Sequence, residues 1–158
     1  MDHLNPDLNL PTFGEQLPDI VYTYRPGSYG LIFERFRQRL AVVQTPIGYY
    51  LPGGGSNPGE GPLATLRREA REECGFFLRR LEQLCETIDF FKAVPSGRFY
   101  QIHSFFYTAS LLRQHRNIGE ADHILIWLTP EQAAGQLFRP SQSWVVRHWL
   151  EINAREQH

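Results

Sequence analysis

Residues 54–76 read Gly54-Gly55-Ser56-Asn57-Pro58-Gly59-Glu60-Gly61-Pro62-Leu63-Ala64-Thr65-Leu66-Arg67-Arg68-Glu69-Ala70-Arg71-Glu72-Glu73-Cys74-Gly75-Phe76. Five glycines and Pro58 between Gly53 and Gly61 predict a loop without regular structure. Pro62 suits the first turn of a helix, where its missing N–H has no partner to lose. The helix is expected to run to about Cys74, and Gly75 supplies its stop. Leu63, Leu66, Ala70 and Cys74 recur at helical spacing and form the expected buried stripe. Glu69, Glu72 and Glu73 stand at i, i+3 and i+4, so they cluster on one flank beside that stripe. Three carboxylates that close repel one another unless a cation holds them. Mg²⁺ or Mn²⁺ is the obvious cation, because hard ions take oxygen ligands from one or two carboxylates and from substrate phosphates. Such an ion can stabilise the charge that develops when a phosphoanhydride is hydrolysed.

As a pattern, the run is Gly54, five residues, Glu60, seven residues, then Arg68-Glu69-apolar-x-Glu72-Glu73-x-Gly75-apolar. That pattern resembles the box of the Nudix hydrolases. The resemblance implies an α+β fold, a Nudix-type α/β/α sandwich with a mixed sheet and helices on both faces. It puts Glu72 and Glu73 on the family's principal metal-binding pair and Glu69 on the third carboxylate, a ligand or general base. It also implies a backbone ligand at the Gly53 carbonyl, a supporting acidic residue at Glu60 beside the Gly54 loop, and an arginine, Arg68, that orients the glutamates. The i, i+4 spacing of Arg68 and Glu72 allows a salt bridge between them. Ala70 is smaller than the Leu, Ile or Val usual at its position. Many family members place a further catalytic carboxylate ahead of a tryptophan-bearing strand; Glu120, with Asp122 nearby and Trp127 beyond, is the candidate.

The chain has 158 residues, the size of one ordinary domain. Sixteen Lys and Arg nearly balance 17 Asp and Glu, so no molecule-wide field draws it to nucleic acid or an anionic membrane. Sequence-specific nucleic-acid binding is not expected. Cys74 and Cys85 make no disulfide framework, and the first twenty residues lack the basic start and apolar run of a signal peptide. No stretch approaches a membrane span, so the cytoplasm is the default location.

The rest of the chain fits a mixed sheet with helices on both faces. Residues 1–19 are polar and rich in proline, an expected N-terminal arm, with order beginning near Ile20 and one domain over 20–158. Ile20 to Tyr24 and Tyr29 to Phe33 read as strands separated by a turn at Arg25-Pro26-Gly27-Ser28. Leu40 to Thr45 and Tyr49 to Leu51 follow as strands. Leu84 to Val94 and Arg98 to Leu111 read as a hairpin around Pro95-Ser96-Gly97. His123 to Leu128, apolar on both faces, reads as an interior strand. Thr129 and Ser141 are the expected caps of two further helices, the last burying Val145, Val146, Trp149 and Leu150.

Other metal or nucleotide patterns fail. No Gly-Lys-Ser/Thr follows the glycine loop, and no Gly-x-Gly-x-x-Gly fits it. His103, His115 and His123 have no paired metal-ligand spacing. The family's substrates are nucleoside diphosphates linked to a further group X, and the box reads only diphosphate and metal. Tyr24, Arg25 and Arg98, on or beside expected strands, are the candidates to touch the remainder of a small nucleotide substrate. Pro11 to Glu15 and Ser141 to Val146 resemble segments of small bacterial MutT-like members. The proline that marks the adenosine-diphosphate-ribose subfamily, about fifteen residues past Gly75, is replaced by Asp89, Phe90 and Phe91. Two readings stay open: a hydrolase, or a non-catalytic module that binds a nucleotide as a sensor or docking surface. Family members are often dimers, and a homodimer is an open expectation.

Overall fold

The computed structural model describes residues 9–36, 38–115 and 121–157. Its elements are β1 (Thr12–Phe13), β2 (Thr23–Phe33), β3 (Leu40–Gln44), β4 (Tyr49–Tyr50), β5 (Gly53–Gly55), α1 (Pro62–Cys74), β6 (Phe76–Lys92), β7 (Phe99–Gln114), β8 (Ile124–Leu128), α2 (Pro130–Gln136) and α3 (Pro140–Glu156). The strands form one mixed sheet in the order β1-β6-β7-β2-β3-β4, with β5 paired to β2 and β8 to β3.

Alternation along the central strands divides the core in two. Leu31, Phe33, Val42 and Phe106 point to one face, where Ala133 and Ala134 of α2 and Val145 and Val146 of α3 cover them. Ile32, Ala41, Val43, Tyr107 and Ala109 point to the other face, covered by Leu66, Ala70 and Cys74 of α1. Helices therefore cover both faces, the expected α/β/α sandwich. Full burial of a side chain such as Leu66 contributes about 1.5–3 kcal/mol. Leu63, the first member of the expected stripe, is 41% exposed, and Thr65 is buried in its place. Ala70 is fully buried, so its small size leaves no opening to solvent. Among the described residues no helix is long and apolar enough to cross a membrane.

Several expected boundaries move. Residues 20–33 do not fold as two strands around a turn: β2 is continuous through Pro26-Gly27 and lies parallel to β7 from Thr23↔Tyr100 to Phe33↔Ser110. The Pro26 carbonyl accepts from Ser56 N–H at 3.0 Å just where β5 ends, so the missing proline N–H faces the same edge and breaks no ladder. Order begins before Ile20: β1 lies parallel to β6, Phe13 packs against Trp144 at 6.0 Å, and Gly14 sits so close to the Phe90 carbonyl that no Cβ fits. The hairpin strands are longer than expected, because β6 starts directly after Gly75 and carries register shifts near Arg79 to Glu82, where Arg80 has φ 54°. β8 is not interior; it pairs with β3 alone, and Ile124 is 54% exposed. Thr129 caps α2 in a capping box with Gln132, whereas α3 starts two residues earlier than expected, with Arg139 as N-cap in place of Ser141 and Pro140 next.

Candidate active site

The glycine loop folds less irregularly than its composition suggests. Gly53 to Gly55 add a short strand to β2, with Tyr29↔Gly53 and Ser28↔Gly54 in register. The first and second positions have no room for a side chain: a Cβ on Gly53, at φ 146°, would run into the Ser28 carbonyl. A Cβ on Gly54 would meet the Glu69 carboxyl carbon at 2.6 Å. The loop then climbs through Asn57 and Glu60 to α1, which ends as predicted at Cys74 with Gly75 left-handed at φ 68°. Gly75 N–H bonds the carbonyls of Ala70 and Arg71.

Arg68 gathers the acidic residues. Its Nε and Nη2 fork onto Glu60 at 2.8 and 2.9 Å, and Nη2 also donates to the Gly55 carbonyl at 2.9 Å. Nη1 donates to Glu69 at 2.9 Å and to Glu72 at 3.1 Å, the salt bridge that the i, i+4 spacing allows. Glu60 is fixed further by Thr65 Oγ1 at 2.8 Å and Asn57 N–H at 3.1 Å. These donors, Arg68 first, hold the Glu60 carboxyl down at about 2. The same hydrogen bond to Glu60 raises Arg68 further above its ordinary range. Glu69 behaves oppositely: burial pushes its carboxyl up against the pull of Arg68, with Glu72 and Glu60 adding to the rise. Glu72 stays open to solvent, its side chain 61% exposed.

Glu73 belongs to the same flank but faces another way. Its Oε1 accepts from Gly53 N–H at 3.2 Å, and its Oε2 lies 3.7 Å from His123 Nδ1. Beside it opens a cleft of about 430 Å³, lined by Gly53, Gly54, Glu73, Tyr29, Tyr50 and Arg139 among others, with Asp122 and His123 at the β8 side. Burial raises the Tyr29 hydroxyl; Arg139 opposes the rise, and the carboxyls of Asp89, Glu69 and Glu73 add to it.

Among the described residues no three His, Cys, Asp or Glu side chains stand grouped as a ready metal cage. The geometry shows why. Arg68 draws Glu69 and Glu72 toward itself, while Glu73 is turned to Gly53 and His123. A guanidinium thus supplies the positive charge that the cluster requires. The donor set of Glu69, Glu72 and Glu73, carboxylate oxygen throughout, fits a hard divalent ion such as Mg²⁺ or Mn²⁺.

Other expected residues lie elsewhere. Tyr24 bonds His103 Nδ1 through its hydroxyl at 2.9 Å, Arg25 covers the Tyr100 ring at 4.6 Å, and Arg98 is exposed in the β6–β7 turn. The structure brings none of the three to the cleft lining. Glu120, the expected further carboxylate, lies outside the described residues. Arg139, Tyr29 and His123 line the cleft without having been singled out as site residues. An arginine directly before a helix-starting proline was the available signal for Arg139.

A family model described as the NUDIX domain matches residues 23–150. No curated protein matches the sequence. Among solved structures, a NUDIX hydrolase from Nitrosomonas europaea superposes with a TM-score of 0.65 at 14% identity, over 82% of this chain and 90% of that one. A MutT protein from Bacillus halodurans gives 0.63 at 19% identity, over 80% and 82%. An Ap4A hydrolase from C. elegans gives 0.63 at 17% identity, over 82% and 98%. At these identities the likeness is one of fold.

Proposed function

The chain belongs to the Nudix family, whose members hydrolyse nucleoside diphosphates linked to a further group X, and on that footing we propose that it is a Mg²⁺- or Mn²⁺-dependent pyrophosphohydrolase. The products are a nucleoside monophosphate and phosphate, pyrophosphate or phosphorylated X. One observation carries the reading: the Glu69, Glu72 and Glu73 flank of α1 meets the Gly53–Gly54 strand at the edge of an open cleft.

In this reading Glu69, Glu72 and Glu73, together with the Gly53 carbonyl, would hold the ion, which would supply charge neutralisation at the bridging phosphates and activation of a water. Arg68, anchored on Glu60 and the Gly55 carbonyl, fixes Glu69 and Glu72 relative to the loop. Glu69, which lies over Gly54 and is held by Arg68 Nη1, is the third carboxylate, a ligand or general base. Glu120 is kept as an additional catalytic carboxylate.

The test is a Mg²⁺ assay over a panel of nucleoside di- and triphosphate derivatives. Release of nucleoside monophosphate from at least one supports the reading. Tight nucleotide binding with no cleavage of any phosphoanhydride would replace it with the sensor or docking module.

A further inference from the structure

The cleft carries charges of both signs. Glu73, Asp122 and Arg139 all line it, but Glu73 is turned to Gly53 and His123, whereas Arg139 lies against Phe91 and Tyr50, and no ion pair joins the two. The guanidinium of Arg139 lies over aromatic rings: its Cζ is 4.2 Å from the Phe91 ring centroid and 6.0 Å from that of Tyr50. Among the described residues no carboxylate lies within ion-pairing distance of it. Asp89 is near enough to feel Arg139, but burial raises its carboxyl and the two groups form no ion pair. Arg139 therefore brings to the cavity wall a guanidinium that has no ion-pair partner among the described residues and lies against aromatic rings.

A cation so placed can take an acceptor from the ligand. Arg139 lies over the rings of Phe91 and Tyr50, of which Tyr50 also lines the cleft. A planar fork of N–H donors matches the oxygens of a phosphoryl group, and desolvation in a cleft strengthens that match. The carboxylates are already committed to the scissile diphosphate in the hydrolase reading, on which this step rests. We infer that Arg139 is a specificity-determining residue, and that it receives a second phosphoryl group, set apart from the scissile diphosphate. A substrate carrying such a group is preferred over its otherwise identical relative without it. The phosphoryl group can extend a linear polyphosphate or sit on a ribose.

Two matched pairs distinguish these sources: a nucleoside triphosphate against the tetraphosphate, and nicotinamide adenine dinucleotide against its 2′-phosphate. Each is measured in Mg²⁺ with the full chain, as wild type, Arg139→Gln, Arg139→Lys and, as a control away from the cleft, Arg155→Gln. The wild type is expected to favour the phosphorylated member of one pair by about tenfold or more, the margin residing in KM. Arg139→Gln abolishes that margin, Arg139→Lys keeps part of it, and Arg155→Gln keeps all of it. Absence of a margin in both pairs overturns the inference, as does a margin that survives in Arg139→Gln. So does equal loss for both members of a pair, which would mean that Arg139 only supports Tyr50 and Phe91. Calorimetric binding of the same four compounds separates this from the hydrolase reading: a margin in binding without any cleavage would sink the hydrolase and leave the Arg139 subsite standing.

Discussion

The carboxylate of Glu69 lies over Gly54, so that a methyl group there would come within 2.6 to 2.8 Å of its carbon and both oxygens. What collides is the free end of a side chain, which can swing aside, and not the backbone. Gly54→Ala is therefore expected to fold with a stability change within about 1 kcal/mol. Its kcat should fall roughly a hundredfold, because Glu69 is pushed out of position. Denaturant midpoints and initial rates on the same preparation check both halves.

Gly53→Ala should behave in the opposite way. Here the added Cβ runs into the Ser28 carbonyl and meets Tyr29 Cα at 2.7 Å, at φ 146°. Only a shift of backbone relieves those contacts, and the expected loss is at least about 2–3 kcal/mol of folding stability. Urea unfolding measures it directly.

Arg68→Lys removes the fork on Glu60 and cannot at once serve Gly55, Glu69 and Glu72. A drop in kcat of roughly 10–100-fold is expected, with a near-native melting temperature. Rates at saturating substrate and Mg²⁺ provide the check.

Glu60 carries a pH signature. Its folded pKa, held at about 2 chiefly by Arg68, is depressed below the ordinary carboxylate value of 4.5. The stabilisation from this pairing is therefore fully present above about pH 4.5 and lost as pH falls from there toward 2. Glu60→Gln should flatten that part of the stability-against-pH curve. An unchanged slope would mean that the pairing does not persist in solution.

Much of this arrangement is legible in the residues alone, where a local rule meets no competitor. Pro62 and Gly75 bound α1 because a helix tolerates proline at its start and favours a left-handed glycine at its end. The Arg68–Glu72 pair follows from spacing on a helix surface. What fails is where tertiary pairing overrides local propensity. Pro26-Gly27 and the glycines at 53–55 look like loop, yet they pair with each other across β2 and β5, where the absence of side chains permits close approach. β8 has the apolar pattern of an interior strand, but its residues lie at an edge against Phe76 and other core side chains. The place of Arg139 in the cleft lining depends on the fold beyond its helix-start signal: its neighbours Phe91 and Tyr50 are distant in sequence.

The most direct test of the account is Mg²⁺-dependent release of nucleoside monophosphate by the wild type beside Glu72→Gln and Glu73→Gln. The predicted result is cleavage of at least one phosphoanhydride substrate, loss of activity on chelation, and kcat reduced by about two orders of magnitude or more in both variants at unchanged fold. Near-normal turnover in either variant would contradict the assignment of these carboxylates, and tight nucleotide binding without any cleavage would contradict the enzyme itself.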